Sequence, residues 1–338
     1  MNRWGPSSIF LKMMVQAALF EKIKTKKILV VGDVVLDHYI WGDATRISPE
    51  APVPVVGVDR DTFVAGAAAN VAMNLRSLGS QVELCGLMGN DADGQRLAGL
   101  MTQFGVSYDP RFLVNAVPTI VKTRVLVRGQ QLCRLDRECK PATYSIEEQG
   151  HLQAVVEKVQ QADAVIISDY AKGAVTNGLL AEIKAVAQKK GILIAVDPKP
   201  KRPLDYEGVD ILKPNKPESI EMAGIVWDGH AAYPARGVCH AIYEKFRCKN
   251  LVVTLGGDGM LLSHQGNVLK TIPAYGREVF DVSGAGDTSM AALTLALACG
   301  ESLEQAAHFA NTASGVVVGK VGTALATPEE VLNYHPKS

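Results

Sequence analysis

The stretch Phe280-Asp281-Val282-Ser283-Gly284-Ala285-Gly286-Asp287-Thr288 joins an acid to several very small residues just before an alanine-rich run, Ser289 to Gly300, with the composition of a buried helix. Small residues leading into a helix leave backbone N–H groups unpaired at the positive end of the helix dipole, an arrangement that binds anions. Asp287 is the unusual member, because such a loop otherwise holds only the anion. A carboxylate beside an anion hole suits phosphoryl transfer to a hydroxyl: it offers a base for the proton and donors for the developing charge. The competing reading is that Asp287 caps its helix and the glycines only permit a tight turn.

Further candidates fall at the ends of apolar runs. Lys27 to Asp33 reads as a buried parallel strand whose C-terminal end meets a site, with Asp33 as a polyol-binding carboxylate and Asp37, just past it, more readily a turn residue. Gly66 to Leu75 opens a helix with very small residues, so a ligand can approach its start; Asn70 and Asn74 share one face. Lys172, Lys199 and Asn215 follow the strands Ala164–Asp169, Ile192–Asp197 and Asp210–Leu212, and Asn215 leads through Lys216-Pro217-Glu218 into a helix. Leu251 to Met260 reads as a strand ending in a glycine turn, then a hairpin through Gln265-Gly266-Asn267. Glycines there either admit a phosphate or a flat base, or simply turn the chain.

The elements that must position these residues alternate. Strand Val82–Leu87 and helices Asp91–Phe104, Ile146–Gln161, Asn177–Lys189 and Leu303 through Asn311 to Val318 give the rhythm of an α/β, doubly wound, mainly parallel sheet with helices on both faces. Two inserts, about 38–64 and 117–137, break it. Tyr39-Ile40-Trp41 and Val53–Val58 read as strands interrupted by prolines, which belong to an edge or a small separate sheet. Val121, Thr123, Val125 and Val127 alternate with Lys122, Arg124, Leu126 and Arg128, and Arg134 and Asp136 share a face. Together they predict a β lid over a ligand, against the alternative of a solvated outer face. The edges of such a sheet also suit a homodimer contact. Residues 1–26 read as an amphipathic extension, and 27–338 as one domain.

Composition excludes several classes. The chain has 338 residues, 47% of them hydrophobic, enough for one large α/β domain or two modest ones; its 35 basic and 35 acidic residues balance, so nucleic acid is not an expected partner. Six cysteines (Cys85, Cys133, Cys139, Cys239, Cys248, Cys299) lack paired spacing and read as thiols of a cytoplasmic protein. Ile9 to Phe20 is broken by Lys12 and Gln16, so no signal peptide is expected, and no run is long enough for a membrane span. No P-loop, dinucleotide fingerprint, zinc-protease helix or serine elbow offers a rival chemistry.

These residues carry a resemblance. Asp281-x-x-Gly284-Ala285-Gly286-Asp287 resembles the C-terminal signature of the ribokinase (PfkB) carbohydrate kinases, Gly66-x-x-x-Asn70 their N-terminal glycine signature, and Asn215-x-x-Glu218 their N-x-x-E motif. Order and spacing agree over about Lys27 to Leu332. Within the family, Arg46 to Val56 and Gln130-Gln131-Leu132-x-Arg134-Leu135-Asp136 are similar to the D-glycero-D-manno-heptose 7-phosphate kinases of lipopolysaccharide-core synthesis. The chain departs from the family in Ala65-Gly66, where Gly-Gly is common, and in Val282-Ser283, where a threonine pair is common.

The resemblance implies roles. Asp287 would be the base, and the N–H groups of Gly284, Ala285, Gly286 and Asp287 the hole for the transferring phosphoryl group. Asn215 and Glu218 would organise Mg²⁺ through water and the ATP phosphates. Thr254, Gly256, Gly257 and Gly259 would line the nucleotide, with Asn311 near adenine or ribose. Asp33, Gly66, Ala67 and Asn70 would hold sugar hydroxyls, and Lys172 with Arg134 or Arg124, beside Asp136, the 7-phosphate. ATP and Mg²⁺ are the implied cofactors, with a monovalent cation such as K⁺ as a further candidate. Many bacterial relatives carry a nucleotidyltransferase domain with an H-x-G-H motif; the seven histidines here form none, so the kinase step alone is expected. The alternatives are a kinase of the same fold for another sugar, sugar phosphate or nucleoside and, more distantly, a non-catalytic binding regulator.

Overall fold

A computed structural model describes residues 17–275, 282–320 and 322–334. Phe280 and Asp281 of the signature, and residues 1–16 of the expected extension, lie outside the described residues.

A helix over 17–24 (α1) leads into β1 (Lys27–Gly32), the long hairpin β2 (Val34–Ile47) and β3 (Pro54–Ala67), and α2 (Ala68–Ser77). There follow β4 (Gln81–Cys85), β5 (Met88–Gly89), α3 (Ala92–Gln103), β6 (Ser107–Tyr108), β7 (Leu113–Val114) and the hairpin β8 (Val121–Val127) with β9 (Gln130–Arg137). Next come α4 (Leu152–Val159), β10 (Ala164–Ser168), α5 (Asn177–Lys190), β11 (Leu193–Asp197), β12 (Ile211–Leu212), α6 (Lys216–Ala223) and α7 (Ala235–Phe246). The chain then runs through β13 (Asn250–Thr254), β14 (Met260–His264), β15 (Asn267–Ile272), α8 (Ala285–Ala298), α9 (Leu303–Val318) and α10 (Pro328–Leu332).

The main sheet has the order β15-β14-β13-β12-β11-β10-β1-β4-β6. From β13 to β6 its pairs are parallel, and the β13-β14-β15 edge is antiparallel. Strand order reverses between β1 and β10, and in open α/β sheets ligands collect in the crevice beyond the strand ends at such a point.

Period-2 alternation divides the core. Ile28 and Val30 of β1 face one apolar layer with α2, α8 and α9; Leu29 and Val31 face the other with α4, α5 and α7. Each fully buried aliphatic side chain of this kind contributes about 1.5–3 kcal/mol. The described part of the expected extension is built into the first layer: Leu19, Phe20 and Ile23 are buried, and Phe20 meets Phe309 edge-on at 5.5 Å.

A second sheet has the order β3-β2-β8-β9. Its strands reach further than the inserts anticipated, because β2 leaves β1 after a single residue, Asp33. The register aligns Asp37, Lys122 and Asp136 in one row and Tyr39, Arg124 and Arg134 in the next on the same side. Two helices differ from expectation. The one foreseen at Ile146–Gln161 begins only at Leu152, after turns that include Gly150 at φ 78°. The one foreseen at Ser289 begins at Ala285, because Gly284 at φ 80° occupies its N-cap.

Candidate active site

Asp287 sits in the first turn of α8, two residues inside its N-terminus, and among the described residues no side chain caps α8. Its carboxylate is 5% exposed and accepts hydrogen bonds from Asn70 Nδ2 at 2.6 Å and Tyr170 Oη at 2.7 Å. A buried amide chain backs this arrangement. Asn74 Nδ2 donates to Asn70 Oδ1 at 3.2 Å, and Thr288 Oγ1 donates to Asn74 Oδ1 at 2.7 Å, tying α2 to α8. Burial raises the Asp287 pKa; the bonds from Tyr170 and Asn70 and the charge of Lys213 oppose that rise, and Asp37 adds to it.

Asp287, Gly284 and Gly286 form one wall of a cavity of about 160 Å³. Two lysines stand across it, each beside a carboxylate: Lys213 Nζ lies 3.1 Å from Asp197 Oδ2, and Lys199 Nζ lies 2.6 Å from Glu218 Oε1. Removal from water lifts the Asp197 pKa to about 6, with Lys213 pulling the other way. Asn215 and Glu218 close a capping box at the start of α6: Glu218 N donates to Asn215 Oδ1, and Asn215 N to Glu218 Oε2, both at 2.9 Å. A bridge between Asn215 and Thr254 brings the end of β13 into the same wall. Two lysines and the opening turn of a buried helix around one cavity can receive a phosphate chain.

Several expected residues take other places. Asp33, expected at a hydroxyl, is 1% exposed and accepts the N–H groups of Tyr170, Lys172 and Ala174 at 2.8–2.9 Å, so it anchors the loop that carries Tyr170. Asn70 holds Asp287 rather than standing free for a sugar. Gly66 and Ala67 end β3; a Cβ on Gly66 would fall on Asp37 Oδ2, so this glycine makes room for Asp37. Asn311 Nδ2 donates to the Pro273 carbonyl at 2.8 Å and does not line the cavity. Gly256, Gly257 and Gly259 form the turn between β13 and β14, outside the cavity wall.

The cations expected at the acceptor's phosphate are paired. Arg124 Nη1 meets Asp37 Oδ1 at 2.5 Å, Arg134 bonds both Asp136 oxygens at 2.7 and 2.9 Å, and Lys172 Nζ donates to Glu138 at 2.7 Å. Lys122 has no ion pair among the described residues. Its ammonium stands 6.0 Å from the Tyr170 ring centroid, and burial lowers its pKa. Tyr170, Asp197 and Lys213 thus line the cavity without having been singled out for it, and Lys122 stands beside Tyr170; Asp37, weighed above between a carboxylate for a polyol and a turn residue, acts on Asp287 through its charge. The strand-exit rule that selected Lys199 applies equally to Asp197, Lys213 and Tyr170.

Among the described residues no three His, Cys, Asp or Glu side chains gather as a ready-made metal site. The oxygens of Glu218 and Asp197 beside a phosphate-sized cavity do fit Mg²⁺, which keeps several waters and binds through one or two carboxylates plus substrate phosphates.

Comparison with known proteins gives the family and the fold. The model of the pfkB family of carbohydrate kinases matches residues 25–330. The bifunctional protein HldE of Helicobacter hepaticus is 41% identical over 314 residues, covering 92% of this chain and 64% of its own length. That of Sulfurimonas denitrificans is 37% identical over 313 residues, with 92% and 64% covered. The chain therefore spans under two thirds of the length of these relatives. Among solved structures, Arabidopsis thaliana ribokinase complexed with ribose and ATP superposes with a TM-score of 0.71 at 22% identity, over 92% of this chain and 100% of that one, a likeness of fold.

Proposed function

The chain belongs to the pfkB family of carbohydrate kinases, phosphotransferases that act on an alcohol group, and from that premise we propose that it transfers the γ-phosphoryl group of ATP to the anomeric O1 of D-glycero-β-D-manno-heptose 7-phosphate. The products would be the 1,7-bisphosphate and ADP, within lipopolysaccharide-core synthesis. The observation that carries the chemistry is the buried Asp287 carboxylate at the start of α8, in one cavity with Lys213 and Lys199.

In this reading Asp287 takes the proton of the acceptor hydroxyl as O1 attacks the γ-phosphorus and the bond to the β-phosphate oxygen breaks. The opening turn of α8 faces the transferring group, and Lys213 and Lys199 face the phosphate chain. Positioning and charge stabilisation supply most of the acceleration. Mg²⁺, held through water by Glu218 with Asp197 near it, would neutralise phosphate charge. The charged side of the lid covers the acceptor and keeps water out.

Support for the substrate comes from the lid, whose segments resemble those of the heptose 7-phosphate kinases. It also comes from Lys122, a half-buried cation without an ion-pair partner among the described residues, where an acceptor's own phosphate would find its charge answered. The test is ADP release with ATP across a panel of heptose, hexose and pentose phosphates and their unphosphorylated sugars. The heptose 7-phosphate should give the highest kcat/KM. A higher value for ribose, a hexose phosphate or a nucleoside would replace this substrate with that one.

A further inference from the structure

Tyr170 has no part in the chemistry above, yet it touches the group on which that chemistry turns. Its hydroxyl donates to Asp287 Oδ1 at 2.7 Å, while Asn70 serves Oδ2. Its own position is held at both ends. The Tyr170 N–H donates to Asp33 Oδ2 at 2.8 Å, and the lid's Lys122 ammonium stands 6.0 Å from its ring centroid.

We infer that Tyr170 is a positioning residue for the base: its hydroxyl holds the Asp287 carboxylate ionised and in one orientation, ready for the acceptor hydroxyl. The inference rests on the reading of Asp287 as base. A carboxylate removed from water favours its neutral form, and a hydrogen bond donated to the ion opposes that. The groups facing Asp287 come from five elements: Asn70 on α2, Tyr170 after β10, Lys213 after β12 with its partner Asp197 on β11, and Asp37 on β2. Asp37 works against ionisation and Lys213 for it; Asn70 and Tyr170 are the neutral donors in direct contact. Tyr170 remains a donor throughout the working range, because enclosure in the protein and the neighbouring Asp287 charge both push its phenol well above the ordinary tyrosine value. Each carboxylate oxygen has a second lone pair, so the acceptor hydroxyl can bind without displacing Tyr170.

The test is Tyr170→Phe, which removes one oxygen and leaves the ring. The acid limb of kcat/KM against pH should move to higher pH. Activity at pH 6 should fall about tenfold, the difference at pH 8.5 should stay within about threefold, and ATP affinity should be unchanged. Incorporation of 3-fluorotyrosine at 170, a stronger donor of nearly the same shape, should move the limb to lower pH; it also decides the matter if the phenylalanine variant unfolds. Superimposable profiles, or an equal loss at every pH, would overturn the inference. Asp287→Asn separates the two readings: turnover retained there removes Asp287 as base. An inactive Asp287→Asn beside an unmoved limb in Tyr170→Phe removes only the role of Tyr170.

Discussion

Asp287 is surrounded by groups that pull its proton affinity in opposite directions, and the sign of the balance makes a prediction. Burial leads and raises the pKa above the ordinary 3.8; the donors and Lys213 only partly offset it. The ionised form is the active one, so kcat/KM should fall as pH drops through a limb lying above the ordinary aspartate range. Asp197, which titrates at about 6 in the same cavity, should broaden that limb into a coupled one. Asp287→Asn should lower kcat by about 10²–10⁴-fold with ATP binding still measurable by calorimetry. Lys122 makes a separate prediction. Lys122→Gln should raise KM for a phosphorylated acceptor by about tenfold or more and leave that for its unphosphorylated counterpart within about twofold. Equal effects on both acceptors would count against a phosphate contact.

At the scale of elements, the site depends on where strands stop and helices start. Gly66 lets β3 pass close to β2 so that Asp37 reaches Arg124, a pairing between two strands of the lid sheet. Gly66→Ala drives a methyl into that carboxylate, and KM for the acceptor should rise about tenfold in steady-state kinetics with KM for ATP little changed. The capping box of α6 does two jobs, ending the loop after β12 and presenting Glu218 to the cavity. Asn215→Ala should cost about 1 kcal/mol, lowering the melting temperature by about 2 °C, and should also raise KM for ATP. A melting shift without the kinetic one would leave Asn215 as a cap alone.

For the whole molecule, the lid presents a large unpaired surface. β9 is an edge strand exposed along its length, and Ile47, Val58 and Leu135 are 63%, 60% and 59% exposed. Exposed apolar residues on a sheet with open edges suit a second copy of the chain, and we propose a dimer through this face. Light scattering coupled to size exclusion should give twice the chain mass, and Leu135→Asp should give a single-chain mass. A single-chain mass for the unaltered protein would end the proposal. Among the described residues no helix is long and apolar enough to cross a membrane.

Much of this was legible in one dimension. Apolar periodicity with glycine and proline signals located most of the alternating strands and helices, though not α7, and the two inserts with their charged side, because burial on one or both faces imposes periods of 2 and 3.6 that survive without coordinates. The small residues before α8 and the Asn215-x-x-Glu218 spacing marked helix starts for the same local reason. The sequence by itself therefore determined the fold class and a helix start with an acid in its first turn. It could not determine which polar residues serve the site and which serve the fold. Asp33 and Asp37 are four positions apart on one run, yet the first is consumed by three backbone N–H groups and the second pairs with Arg124 on the neighbouring strand of the small sheet. Asn70 and Tyr170 meet Asp287 from 217 and 117 residues away. Such partnerships follow from the order of strands in the sheet, and hydrogen-bond satisfaction in a buried volume is settled only when distant segments are brought together.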